Sequence, residues 1–216
     1  MMSIWGYGVV TLLIGYLLGS LHGSKLAQFF SGVNIKKEGL NNSGASNATI
    51  VLGWKYGILV GVIDILKGAI MIIGVRLFAQ YTDVFTAIQL DLLLYLAGAA
   101  VILGHNFPIY TRFQGGKGTA SIIGVLLALH FPVGLAGLLI LIAITIITDY
   151  LLIGVFAFYI VFLAASFWFA DGLGPVLVAG FLFLMASLLH IENVRRMMRK
   201  EERTISSVIK KKKPSV

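Results

Sequence analysis

The block TASIIGVLLALHFPVGLAGLLILIAITII, Thr119 to Ile147, decides how many times this chain crosses a membrane. One span takes about 20 residues, so the block is too long for one and short for two. His130-Phe131-Pro132 stands in its middle. A proline inside a helix removes a backbone hydrogen bond and clashes with the preceding turn. The reading is therefore two helices, 119–129 and 133–147. The first is short for a crossing, so a re-entrant segment is the alternative to a full span.

Further apolar blocks lie outward from this one at 4–21, 56–78, 84–104, 153–169 and 175–190. Only 12% of the 216 residues are charged, about half the share usual in a soluble domain. Mean hydropathy is +0.94. The expectation is an all-α integral membrane protein of about seven transmembrane helices. Residues 1–195 would form the membrane body and residues 196–216 a basic cytoplasmic tail. Residues 1–10 lack Lys and Arg, so 4–21 reads as a retained helix, not a signal peptide.

Charge supports the count. Lys25, Lys36, Lys37 and Lys55 lie in the first loop, Arg112 and Lys117 in the loop after 84–104, and nine more basic residues between Arg195 and Lys213. Basic loops stay in the cytoplasm. Two crossings separate the first cluster from the second, so an even number must separate the second from the tail. Breaking at Pro132 supplies four. The N-terminus is then outside, the C-terminus inside, and the chain a multi-pass protein of the cell membrane. The two polar, glycine-rich loops, 32–53 and 104–118, share one face with 190–203.

Several chemistries are excluded or disfavoured. There is no cysteine, so no disulfide or thiolate. The four histidines show no zinc spacing, and neither a metal nor another cofactor is expected. The net charge of +8 reports topology, so no nucleic-acid partner is expected. Lys210 to Lys213 reads as a topogenic or anionic-lipid-binding tail.

The sharpest local signal is GHNFPIYTRFQGGKGT, Gly104 to Thr119. Gly115, Gly116 and Gly118 surround Lys117 directly before a helix start. Glycines let successive backbone N–H groups converge on an anion, and the helix N-terminus adds a positive dipole end. Lys117 supplies a compact charge for phosphate. A Walker A loop is ruled out, because Thr111 holds its first glycine position and Gly118 follows the lysine. A flexible connector with a topogenic lysine is the plainer reading. In the first loop, Asn42, Ser46 and Asn47 have amides and a hydroxyl suited to a polyhydroxy substrate, or equally to helix capping. Asp64 and Lys67 lie at i, i+3 inside a span, where charges default to function but also pair as packing units. Arg76 and Asp91 would pair near the outer surface. Glu192 with Arg195 or Arg196, and Arg199 with Glu202, read as ordinary i, i+3 and i, i+4 surface pairs. His190, Asn193 and Met197 share a helix face at the end of the last span. His190 titrates near neutrality, so it is a proton acceptor, a phosphate ligand or an interfacial anchor.

Together these residues resemble the bacterial acyl-phosphate:glycerol-3-phosphate acyltransferases, the PlsY family. Gly104 to Gly118 resembles the family's second motif, G-H-x-F-P-x-x-x-x-F-x-G-G-K-G. Residues 34–39, with Asn42, Gly44, Ala45, Ser46 and Asn47, resemble the first. His190, Asn193 and Arg196 resemble the third, and Asp64, Lys67 and Gly68 match its second span. The resemblance covers nearly the whole chain and implies seven helices with the motifs facing the cytosol. It implies acyl transfer from acyl phosphate to the 1-hydroxyl of glycerol 3-phosphate, giving lysophosphatidate and phosphate, with membrane lipids around the protein. Gly115, Gly116, Lys117 and Gly118 would hold a phosphate. His190 and Asn193 would orient or neutralise the reacting groups. Asn42, Ser46, Asn47 and His105 would contact substrate. The chain departs from the pattern at Leu40, where a serine is expected, at Ile50, where an arginine is expected, and at Leu152, where another serine is expected. His22 stands where a proline is expected. Two alternatives keep the fold: a diverged paralogue with another acceptor, and a noncatalytic lipid- or acyl-phosphate-binding membrane protein.

Overall fold

The computed structural model describes residues 4–210, all of whose regular structure is helical. The expected Lys210–Lys213 tail lies outside these residues except for Lys210, whose side chain is not described. In chain order the helices are α1 (Ile4–Ser20), α2 (Gly23–Ser31), α3 (Ala45–Leu52), α4 (Trp54–Thr82), α5 (Ala87–Asn106), α6 (Thr119–Leu129), α7 (Phe131–Thr148), α8 (Leu151–Phe169), α9 (Leu173–Leu189), α10 (Ile191–Met198) and α11 (Ile205–Lys210). Short 3-10 turns occupy Ile35–Lys37 and Ile109–Thr111.

Local chemistry sets the breaks. The chain leaves helix at His130, which is extended, and Pro132 falls in the first turn of α7. There its missing N–H is harmless and its fixed φ is already helical. The break is thus two residues ahead of the proline, because the ring disfavours helix before it, not at it. α5 begins in a capping box between Thr86 and Gln89. α9 and α10 meet at His190 with a bend of 49°.

Among the described residues, five helical segments are long and apolar enough to cross a membrane, and a sixth if α9 and α10 count as one. α6 has 11 residues, a rise of roughly 16 Å, and does not qualify alone. At one end its first turn borders a cavity. At the other, the Leu129 carbonyl accepts a 2.5 Å hydrogen bond from Arg76, and His130 lies 4.5 Å from the Phe169 ring. The expected Arg76–Asp91 pair does not form. Arg76 answers a carbonyl orphaned by the end of α6, and Asp91 accepts from the Asp171 N–H at 2.7 Å. The outside of the bundle is apolar, with Leu17, Ile73, Leu139, Phe181 and Leu184 exposed. Lipid is the solvent that such a surface fits.

Small residues bring the helices into backbone contact. A Cβ on Gly124 of α6 would overlap the Ile65 carbonyl of α4, and one on Gly68 of α4 would overlap the Ser121 carbonyl of α6. Gly19 and Gly104 play the same part between α1 and α5. Membrane helices lack a strong solvophobic drive to associate, so close packing of this kind carries much of the cohesion. Gly124→Ala should lower the melting temperature in detergent, by an overpacking cost of roughly 1–3 kcal/mol. Gly180→Ala, where an added Cβ meets nothing within 4 Å, should leave it unchanged or slightly raised. Equal behaviour of the two variants would contradict the packing.

Candidate active site

One cavity of about 510 Å³ gathers residues from both glycine-rich loops, from α4, from the start of α8 and from the end of α9. Its lining is mixed. Ile65, Ile123, Leu141, Leu151, Leu152 and Val155 are among its apolar residues. Its polar residues include Asn42, Ser46, Asp64, His105, Lys117, His190 and Asn193.

Two helix N-termini open into this space. Gly44, Ala45 and Ser46 at the start of α3, and Gly118, Thr119 and Ala120 at the start of α6, all line it. Neither helix has a side-chain cap. Their first-turn N–H groups therefore lack an intrahelical partner and present partial positive charge.

Lys117 reaches across to the Asn193 carbonyl oxygen, with which it forms a hydrogen bond. Asn193 in turn donates to Glu202 at 2.7 Å, and Glu202 pairs with Arg196 at 2.6 Å. The expected Arg199–Glu202 pair is replaced because Lys200, at φ +59°, turns the chain back. That reversal carries Glu202 past Arg199 to Arg196. Residues 202–205 and Val208 then close over the cavity mouth. The return is anchored at Asp149, which accepts from the Ser206 N–H at 2.8 Å and from the Ser206 hydroxyl.

His190 is 5% exposed and its Nδ1 lies 2.8 Å from the Ala186 carbonyl. A carbonyl only accepts, so Nδ1 carries hydrogen. In the neutral ring Nε2 is then a bare lone pair. His105 is the mirror case. The Lys67 ammonium lies 2.7 Å from its Nδ1, and ammonium only donates, so the neutral ring carries hydrogen on Nε2. Gly116 is pressed against that edge: a Cβ there would overlap Nε2.

The glycine loop differs from the converging cradle expected of it. The Gly115 N–H donates to Asn106 O at 2.9 Å and the Gly116 N–H to His105 O at 3.0 Å. Both amides are engaged by the end of α5. These glycines serve close approach to that helix, whereas Gly118, at φ +81°, turns the chain into α6. Lys117, Gly118 and the α6 N-terminus remain on the cavity. Asn47 also departs from expectation. It is fully buried, donates to the carbonyls of Ile35, Glu38 and Asn42, and accepts from the Leu40 N–H. Every polar valence is taken up in knotting the first loop, and Asn47 is not on the cavity. Asn42 and Ser46 do line it.

Two features were invisible as site elements in the sequence. The 201–208 return entered only as part of the basic tail and through the expected Arg199–Glu202 surface pair. His22 was noticed only as a missing proline. Its ring stacks on His105 at 4.7 Å, with Nδ1 2.8 Å from Ser20 O and Nε2 2.9 Å from His105 O. It pins the end of α1 to α5 beneath the cavity. Among the described residues, no cluster of His, Asp and Glu could hold a metal.

Burial, then the neighbouring Arg196, lowers the Lys117 pKa from the usual lysine value to about 8. The ammonium is thus present below pH 8 and lost above it. Affinity for inorganic phosphate should fall about tenfold per pH unit above that point, since the dianion itself no longer titrates there. Lys117→Arg should abolish this alkaline limb. A limb that persists in the arginine variant would clear Lys117 of the role.

A sequence profile of the family described as glycerol-3-phosphate acyltransferase matches residues 9–200. The chain is 43% identical over 206 residues to glycerol-3-phosphate acyltransferase 1 of Oceanobacillus iheyensis, covering 95% of this chain and 99% of that one. It is 33% identical to the glycerol-3-phosphate acyltransferase of Thermus thermophilus, over 91% and 94% of the two chains. Its fold matches the crystal structure of PlsY (YgiH), an integral membrane glycerol 3-phosphate acyltransferase, in the glycerol 3-phosphate form. The TM-score is 0.83 at 28% identity, covering 96% of this chain and all of that one. The lysophosphatidic acid form of PlsY matches at a TM-score of 0.80 and 29% identity, over 94% and 99%. This multi-pass, all-helical chain belongs to the glycerol-3-phosphate acyltransferase family.

Proposed function

We propose that this protein transfers a fatty acyl group from acyl phosphate to the 1-hydroxyl of glycerol 3-phosphate, releasing lysophosphatidate and inorganic phosphate. The observation that carries this reading is the mixed polar and apolar lining of one cavity. Two uncapped helix N-termini and Lys117 share one space with an apolar wall. Such a space fits reactants that are phosphate at one end and alkyl at the other.

The chemistry asks little of the protein. The hydroxyl oxygen attacks the acyl carbonyl carbon, the carbon–oxygen bond to phosphate breaks, and the proton ends on the departing phosphate. An acyl phosphate is already activated, so alignment and charge stabilisation dominate. Lys117, Gly118 and the α6 N-terminus hold phosphate charge. Asn193 keeps the Lys117 ammonium in place, and the bare Nε2 of His190 accepts the hydrogen of a hydroxyl or of the product phosphate. His105, its Nε2–H held against Gly116, supports the glycine loop. Asn42 and Ser46 complete the polar rim. Leu40, Ile50 and Leu152 line the cavity, which favours a second reading: the donor is kept and the acceptor differs.

The purified protein with acyl phosphate and glycerol 3-phosphate should yield lysophosphatidate and phosphate, without coenzyme A thioester and unaffected by a chelator. Lys117→Ala should reduce kcat/KM by about 10- to 100-fold, the value of a hydrogen bond to a charged group. A requirement for acyl-CoA would refute the donor. Turnover of acyl phosphate with other hydroxy acceptors but not this one would establish the second reading.

We also place the cavity on the cytoplasmic side, with seven crossings, because both polar loops carry the basic clusters. The chain has no cysteine, so single-cysteine labelling is clean. Lys37→Cys and Arg112→Cys should react only with reagent admitted to the cytoplasm, and Asp83→Cys with external reagent. Opposite sidedness of the first two would overturn the shared face.

A further inference from the structure

We propose that Asp64 is the residue that selects the acceptor: its Oδ2 accepts a hydrogen bond from the secondary hydroxyl of the glycerol. The inference rests on the function proposed above and names a contact within that site.

Asp64 sits inside α4 at 1% exposure, yet it lines the cavity. Its two oxygens are treated differently. Oδ1 accepts from the Lys67 ammonium at 2.9 Å and from the Gly23 N–H at 3.4 Å. Oδ2 is buried with no hydrogen-bond partner among the described residues. Buried carboxylate oxygens are ordinarily bonded, and an exception asks for a ligand that completes it. Gly61, three residues earlier on the same face of α4, also lines the cavity and offers no side chain to fill the approach. A Cβ added there would lie 3.5 Å from the Ala45 Cβ, so α4 and the start of α3 come close at this point.

The chemistry of the atom names its partner. An ionised carboxylate only accepts, and this one would repel a phosphate. It therefore takes a hydroxyl hydrogen. The acceptor has two hydroxyls. The primary one must release its proton to the departing phosphate, so it faces the acyl donor. The secondary one keeps its proton through the reaction and needs a stationary acceptor. Asp64, already fixed through Oδ1 by Lys67, is such an acceptor. Lys67 has no comparable role. Its Nζ is used by Asp64, His105 and the carbonyls of Gly19 and Leu21. A site built around a substrate hydroxyl discriminates strongly against an analogue without it, because the buried partner is left bare.

The test compares glycerol 3-phosphate with 3-hydroxypropyl phosphate, which lacks the secondary hydroxyl. The wild-type protein should prefer glycerol 3-phosphate by about 10- to 100-fold in kcat/KM. Asp64→Asn should lose about 10- to 100-fold more efficiency on glycerol 3-phosphate than on the deoxy acceptor, whatever loss the two share from the uncompensated Lys67 ammonium. Equal wild-type efficiency on both acceptors overturns the contact, and this needs no variant to fold. Equal losses by Asp64→Asn on both acceptors also overturn it, since that is the signature of a structural role. If wild-type protein acylates neither acceptor, the function itself fails and the contact with it, an outcome distinct from the other two.

Discussion

The ammonium of Lys67 is the point from which the cavity floor is built. It lies buried in the middle of α4, and its three N–H groups lie among four acceptors: the carbonyls of Gly19 and Leu21, Asp64 and His105 Nδ1. Those partners belong to the end of α1, to α4 and to the end of α5. An uncompensated charge inside a membrane protein is costly, so each partner is constrained to remain. The end of α1 supplies carbonyls that its own helix leaves unsatisfied, and the lysine fills that role. One residue thus joins three helices at the level where the chemistry occurs. Removing it would leave Asp64 and two carbonyls bare at once.

From this floor the site rises by backbone more than by side chains. The Gly115 and Gly116 amides bond to the end of α5, which locks the glycine loop under α6. The anion-binding capacity then falls to the N-termini of α3 and α6, together with Lys117. This division fits the apolar substitutions on the cavity wall. Leu40, Ile50 and Leu152 bring no donors, but a helix N-terminus does not depend on the side chain beside it. The return segment from Lys200 to Val208 adds Glu202 and Arg203 to the mouth. Glu202 occupies Arg196 and Asn193, and Lys117 and Arg203 are the lysine and arginine among the residues that line the cavity.

Helix packing and site geometry use the same small residues. Gly68 and Gly124 let α4 and α6 touch, which holds the α6 N-terminus against the Asp64 region of α4. Gly104 and Gly19 let α1 meet α5 one residue before His105 and three before His22. Bulk added at either crossing would shift the polar groups as well as weaken the bundle. Stability and chemistry are therefore coupled through the backbone spacing.

Sequence by itself determined what depends on neighbours along the chain. Apolar blocks long enough for a bilayer, a break near Pro132, and basic loops on alternate crossings are local properties, because transfer free energy and proline geometry act residue by residue. They sufficed for an all-helical membrane protein with its polar motifs drawn together, and the wording of those motifs carried the resemblance to the acyltransferases. Tertiary structure alone decided which polar atoms stay available. Asn47 and the Gly115 and Gly116 amides looked free in the sequence and are consumed by partners 5 to 12 residues away. His22, Asp149 and Glu202 looked incidental and hold the site's walls through residues far away or across a chain reversal. Asp64 looked like half of a packing pair, and only its second oxygen, buried without a partner, distinguishes it. The physical reason is that a hydrogen bond satisfies an atom only when both partners arrive, and arrival is a property of the folded chain.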